Sequence, residues 1–174
     1  MEDTSTGDAP ARAAGGPFDP ADVDWRAVSP RLATARLLGV GIFALVVSVP
    51  HLVLAVVLSS YWPLVAWLPW LLLVALLAWM VPRQVRAWGY AEREDDLLIR
   101  HGVLSRTLVV VPYGRMQYVD VEAGPLDRRL SIAKVQLHTA SASSDAVIPG
   151  LPPQEAARMR DRLASRGEAR LAGL

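Results

Sequence analysis

The sequence contains no cysteine, and only three of its 174 residues are histidine. Without cysteine the chain has no disulfide, no thiolate metal ligand and no cysteine nucleophile. His51, His101 and His138 stand too far apart in the sequence for metal-ligand spacing. A glycine-rich phosphate loop and a G-x-S-x-G nucleophile turn are also lacking. We therefore expect no catalytic site, no metal and no cofactor, and the sequence does not predict an enzyme.

Charge is lacking throughout residues 37–82, which contain no Asp, Glu, Lys or Arg. A single helix of this length would extend for roughly 69 Å, whereas the hydrocarbon core of a bilayer is about 30 Å thick. Residues 59–63, Ser-Ser-Tyr-Trp-Pro, combine small polar, interfacial and helix-breaking side chains and mark a break. The sequence predicts two membrane spans, at about residues 37–58 and 64–81. A cleavable signal peptide fits poorly, because a long polar segment precedes the first span.

Positive charge stands at one end of this predicted hairpin. Arg26, Arg31 and Arg36 precede the first span, and Arg83 and Arg86 follow the second, whereas the loop between the spans has no charge. Arginines near the ends of a span favour the cytoplasmic side. We therefore expect a multi-pass protein of the plasma membrane, with both termini and the segment after residue 82 in the cytoplasm.

His51 is the only ionisable side chain deep within the predicted spans. An intramembrane histidine can belong to a proton or ligand relay. The alternatives are a histidine bonded to a carbonyl freed near Pro50, or one that faces a partner helix. Trp67 and Trp70 lie in the second span, where we expect them to face lipid or the first helix.

After residue 82 the apolar period changes to the alternation that is typical of β-strands. We predict about six strands, a short helical turn and a closing helix that begins at Pro152-Pro153. The predicted strands are residues 88–93, 96–101, 105–112, 115–122, 133–139 and 146–148, and the helical turn is residues 125–130. Ala156, Met159 and Leu163 form an apolar stripe along the closing helix.

Two of these strands have faces that the alternation distinguishes. Val135 and Leu137 are expected to point into the core of the strand at 133–139. In the strand at 115–122, Val119 shares a face with Gln117 and Val121, and Met116 is expected on the opposite face.

An ordered series of segments, YAEREDDLLIRHGVLSRTLVVVPYGRMQYVDVEAGPLDRRLSIAKVQLHTA, then IPGL, then QEAARMRDRL, resembles a known family. The family is that of the bacterial pleckstrin-homology-like domains, of the membrane-anchored YdbS-like type. Ser131 departs from it, standing where the family usually has glycine, and Ala123 stands where glutamine is frequent. The positions that match the family's central motif include Pro112, Arg115, Gln117, Asp120, Pro125 and Arg129, to which we assign structural roles.

The resemblance implies an α+β membrane protein. A two-helix transmembrane hairpin would be followed by a pleckstrin-homology (PH)-like bent antiparallel β-barrel or sheet with a C-terminal capping helix. We accordingly divide the chain into a disordered N-terminal tail at 1–24, the hairpin at 25–82, a cytoplasmic PH-like domain at 83–166 and a frayed tail at 167–174. Asp120 and Arg129 are candidates for a buried or capping ion pair.

Three functions remain open at this point. The first is a non-enzymatic membrane-anchored scaffold or adaptor, which acts by association with a protein partner or with a second copy of the chain. The second is an anionic-lipid sensor, for which Arg83, Arg86, Arg158 and Arg162 are the candidate lipid-facing residues. The third is a subunit of a membrane transporter or enzyme that uses His51. Nucleic acid is not expected, because no strand combines exposed aromatic and basic side chains.

Overall fold

A computed structural model describes residues 20, 23–59, 61–140 and 145–171 of the chain. Two long helices, α1 (Arg31–Val57) and α2 (Trp62–Arg86), pack side by side as a hairpin. Most of their large apolar side chains face outward, among them Leu45, Val56 and Leu72. Such a surface is stable in lipid and unfavourable in water. The hairpin spans the membrane, and at its open end both helices continue beyond the spans predicted at 37–58 and 64–81.

A short strand that the sequence did not predict lies before the hairpin. Strand β1 (Arg26–Ala27) pairs antiparallel with strand β2 (Gly89–Glu92), and Arg26 lies opposite Tyr90. The membrane hairpin is therefore inserted between the first two strands of one sheet.

The strands form two antiparallel sheets. Strands β1 and β2 continue into β3 (Asp96–His101) and β4 (Thr107–Pro112), in the order β1-β2-β3-β4. A 3-10 turn (Tyr113–Arg115) leads to the second sheet, β5-β6-β7. The strands of this sheet are β5 (Met116–Glu122), β6 (Ala133–Thr139) and β7 (Ala146–Leu151). The short helix α3 (Pro125–Arg129) connects β5 to β6, and the helix α4 (Pro153–Leu171) follows β7. This arrangement confirms the predicted class: a hairpin, then bent antiparallel sheets, then a capping helix.

One hydrophobic core joins the two sheets, α4 and the base of the hairpin. Ala156, Met159 and Leu163 of α4 are fully buried in it, so the predicted apolar stripe is confirmed. The core also includes Leu32 in the first turn of α1 and Val85 in the last turn of α2. The base of the hairpin is therefore part of the β-domain as well as the start of the membrane anchor.

Two β-bulges explain where the sequence prediction was wrong. In β5, Met116 pairs with Thr139 and Tyr118 with His138, so that one residue is left over. This bulge turns Met116 into the core, although simple alternation placed it opposite Val119. In β7 a similar irregularity accommodates residues 149–150, and the strand continues to Leu151, three residues past its predicted end.

In β6 the predicted alternation is confirmed. Val135 and Leu137 are fully buried, whereas Lys134, Gln136 and His138 are partly exposed.

Candidate functional site

The end of α2 and the β3–β4 turn enclose a basic cleft of about 370 Å³. Four arginines line it: Arg83, Arg86, Arg100 and Arg106. No acidic side chain is among the described residues of its wall. Four guanidinium groups around one cavity create a positive potential that favours an anion. We call this cavity the basic cleft.

Aromatic rings hold part of the basic cleft in shape. The Arg83 guanidinium lies 3.2 Å from the centroid of the Trp79 ring, and that of Arg100 lies 4.3 Å from Trp25. The His101 ring stacks on Trp88 at 4.7 Å. Stacking of the Arg83 guanidinium on the Trp79 ring leaves the N–H edge of Arg83 available for a ligand.

The turn between β3 and β4 depends on Gly102. Its φ is +102°, and a Cβ at this position would lie 1.9 Å from the carbonyl oxygen of Ser105. Only glycine fits such a backbone without distortion. The tight turn brings Arg106, just before β4, back beside Arg100 near the end of β3.

The other two candidate lipid-facing arginines lie elsewhere, on α4. Arg162 Nη1 is 2.9 Å from Glu92 Oε2, and Arg158 Nη2 is 3.5 Å from Glu92 Oε1. Arg158 also binds Glu155, one turn earlier on the same helix. The four predicted arginines thus separate into two groups, because Arg83 and Arg86 line the basic cleft while Arg158 and Arg162 fasten α4 to β2.

This ion-pair group also holds β1 in place. Tyr90 Oη donates a hydrogen bond to Glu155 Oε1 at 3.1 Å, and Arg26 Nη1 donates to the same oxygen at 3.2 Å. Burial, together with the Glu155 carboxylate, raises the pKa of Tyr90 to about 12, so the hydroxyl keeps its proton. The hydrogen bond from Arg158 lowers the pKa of Glu155. Three elements, β1, β2 and α4, meet at one carboxylate.

A second cavity, of about 330 Å³, lies between β5 and the C-terminal half of α4. Buried Met116 and Leu163 form its apolar floor with Val119. Its rim carries both signs of charge, with Arg160 and Glu168 on α4. We call this cavity the β5–α4 groove.

The outer edge of β5 borders the β5–α4 groove. In the described chain β5 pairs with β6 on one side and with no other strand. Its remaining backbone N–H and C=O groups form an edge at which another strand can pair. Gln117 and Tyr118 are exposed there, and the ring of Tyr118 stacks on His138 at 4.3 Å.

The family-motif residues mark the ends of elements more than they form a site. Pro112 ends β4, Pro125 begins α3, and Arg115 and Arg129 are exposed in the 3-10 turn and in α3. Gln117 is the bulged residue of β5.

Asp120 does not form the buried or capping pair with Arg129 that the sequence suggested. Its carboxylate is about half exposed and lies 3.7 Å from Nε2 of His138 on the neighbouring strand. The antiparallel pairing of β5 with β6 places His138 next to Asp120.

Within the membrane hairpin the polar groups bond to one another. The indole N–H groups of Trp67 and Trp70 each donate to the hydroxyl of Ser48 at 3.3 Å, so both tryptophans face the first helix. Nδ1 of His51 lies 2.9 Å from the carbonyl oxygen of Val47, one turn earlier. This contact matches the structural alternative for His51, in which the ring bonds to a nearby carbonyl.

No group of three or more His, Asp or Glu side chains in the described residues is arranged to hold a metal ion.

A membrane hairpin set into two antiparallel sheets with a capping helix defines a membrane-anchored PH-like protein. The family model for the bacterial PH domain matches residues 33–167, and the chain belongs to this family. The chain is also similar to UPF0699 transmembrane protein YdbS of Bacillus subtilis (strain 168). The two are 33% identical over 122 residues, which cover 64% of this chain and 74% of that relative. No solved structure matches the chain.

Proposed function

We propose that this protein is a non-enzymatic, membrane-anchored adaptor that binds an extended segment of a partner protein at the cytoplasmic face of the plasma membrane. The observation that carries this proposal is the open edge of β5 beside the β5–α4 groove. The bias of arginine towards the open end of the hairpin supports the cytoplasmic placement.

An open strand edge next to an apolar groove suits an added strand. The backbone of an incoming segment can pair with β5, while alternate side chains of that segment enter the groove. Exposed edges tend to recruit other chains unless they are covered. The edge of β5 therefore offers affinity through its main chain, and the groove offers selectivity.

The walls of the groove indicate which segment fits. The partly exposed Val119, beside buried Met116 and Leu163, offers an apolar floor for one side chain. The rim places Arg160 beside Asp161 and Glu168, so it favours no single sign of charge. We expect an extended partner segment with apolar residues at every second position and little net charge.

Photo-crosslinking in cells tests the proposal on the full-length chain. A photoreactive residue replaces Gln117, at the edge of β5, and crosslinked products are identified by mass spectrometry. The expected result is a discrete protein joined through one short segment. The control position is Val110, which is 48% exposed on β4 in the other sheet and should give no such product.

Two neighbouring substitutions on α4 sharpen this test. Ala164→Trp fills the groove and should abolish the crosslink at position 117, whereas Ser165→Trp adds the same ring outside the groove and should leave it. Equal yields for the two variants would contradict binding in the groove. Crosslinks that join only copies of this chain would show a homo-oligomer in place of an adaptor.

A further inference from the structure

The β3–β4 turn, residues 102–106, carries an exposed apolar tip beside the basic cleft. Leu104 is 90% exposed and Val103 is 39% exposed. The same turn also borders a further cavity, of about 390 Å³, which is lined by Met80 and Gln84 of α2 and by Arg36 of α1. The apolar tip therefore lies level with the first turns of α1 and the last turns of α2.

The position of Leu104 relative to the membrane explains why its exposure matters. Arg83 and Arg86 are the first charged residues after the second span, so we expect them at the level of the headgroups of that leaflet. A leucine at the same height is next to lipid, where burial of its side chain is favourable.

The arginines of the basic cleft have the chemistry to bind phosphate. A guanidinium presents parallel N–H groups that match two phosphate oxygens. In the described part of the chain no carboxylate lies within 4 Å of Arg86 or Arg106, so neither is neutralised there. The volume of about 370 Å³ is within the range of small-ligand sites, about 300–1,000 Å³.

We propose that the basic cleft binds the phosphate of an anionic lipid headgroup while Val103 and Leu104 insert into the same leaflet. A zwitterionic headgroup is disfavoured, because its cation would lie beside Arg83, Arg86 and Arg106. The site is separate from the β5–α4 groove, so it fixes the domain against the membrane and leaves the partner edge free.

Native mass spectrometry of the full-length protein measures the headgroup preference. The protein is titrated with phosphatidylglycerol and with phosphatidylcholine, and the expected result is preferential retention of phosphatidylglycerol. Arg86→Gln with Arg106→Gln should weaken this retention about 25-fold, at roughly fivefold for each arginine. The charge-matched control, Arg115→Gln with Arg160→Gln, alters exposed arginines outside the cleft and should leave the retention unchanged.

Equal loss in the two double variants would overturn the proposal, since it would show only a nonspecific effect of net charge. An excess of inorganic phosphate separates the two sources of the anion. Displacement of the lipid by phosphate alone at millimolar concentration would indicate a site for free phosphate and would also overturn the proposal.

The absence of cysteine permits an independent test of the apolar tip. A spin label is attached to Leu104→Cys in protein reconstituted into anionic bilayers, with Val110→Cys on β4 as the control. Collisions with oxygen should exceed those with a polar nickel complex at position 104, and the reverse should hold at position 110. A water-like label at position 104 would refute membrane insertion.

Discussion

Leu32→Ala should destabilise the β-domain, although Leu32 precedes the first membrane span in the sequence. Its side chain is 7% exposed, and it packs in the same core as the strands and α4. Truncation of a buried leucine to alanine costs about 2–5 kcal/mol. We expect about 2–3 kcal/mol here, because Leu32 lies at the margin of the core. For a domain of this size that loss corresponds to a thermal midpoint lower by about 10 °C or more.

The assay is the temperature dependence of proteolysis of the β-domain, in full-length protein held in lipid nanodiscs. The matched control is Leu38→Ala, because Leu38 is 45% exposed on the same helix. We expect the control to change the free energy of unfolding by less than about 0.5 kcal/mol. Equal midpoints for the two variants would refute the conclusion that the base of α1 belongs to the β-domain core.

A compensating pair strengthens this test. Gly150 has a φ of +71°, and an added Cβ would lie 2.7 Å from Cβ of Leu32. Gly150→Ala should therefore destabilise the domain by both strain and overlap. Leu32→Ala keeps the Cβ at 2.7 Å but removes Cγ and Cδ2, which would lie 3.1 and 3.0 Å from the added Cβ. It therefore relieves part of the overlap and none of the strain, so the double variant should be slightly less destabilised than the sum of the two single variants.

Three further substitutions give smaller, distinct effects. Arg158 lowers the pKa of Glu155 below its ordinary value of 4.5. The pair therefore stabilises the domain above that pH, and this contribution is lost as the pH falls through the pKa of the folded state. Glu155→Gln should accordingly reduce the loss of stability at acid pH in a curve of stability against pH. Ser131 has a φ of +52°, so Ser131→Gly should raise the thermal midpoint by relieving a cost of roughly 1 kcal/mol. Ser48→Ala should cost about 0.6 kcal/mol per lost indole hydrogen bond, measured by hairpin unfolding in detergent.

Local pattern was sufficient for most of the fold. The absence of charge between residues 37 and 82 predicted the hairpin, and β3 and β6 were predicted with their observed bounds, β6 from its alternation. These features are local, because a lipid-facing helix and a half-buried strand each impose their own period on the side chains.

The features that depend on distant contacts could not be read from the sequence. Strand β1 has only two residues, and it is a strand because Arg26 and Ala27 pair with β2 on the far side of the hairpin. The bulge at Gln117 is another case. The pairing of β5 with β6 leaves Gln117 without an opposite residue and turns the Met116 side chain into the core. Neither a two-residue strand nor a bulge produces a repeating pattern of apolar residues in the sequence.

The candidate arginines show the same limit for the site. Sequence alone gave Arg83, Arg86, Arg158 and Arg162 the same chemistry, since each is basic. The structure separates them through Glu92, whose position at the end of β2 places its carboxylate against α4. The i, i+4 spacing of Arg158 and Arg162 was a usable signal for a shared acidic partner on another element.

The β5–α4 groove depends on how two elements meet, and no single segment of the sequence encodes it. Met116 and Leu163 come together because the bulge in β5 and the apolar stripe of α4 face each other. The apolar stripe of α4 was evident in the sequence, whereas the surface of β5 that it faces was not.

Amide hydrogen exchange tests the adaptor proposal most directly. The full-length protein in nanodiscs is measured with and without the partner segment that the crosslink at Gln117 identifies. The proposal predicts slower exchange in β5, residues 116–122, because its outer amides gain a strand partner on binding. Protection confined to other surfaces, with β5 unchanged while the segment is bound, would contradict it.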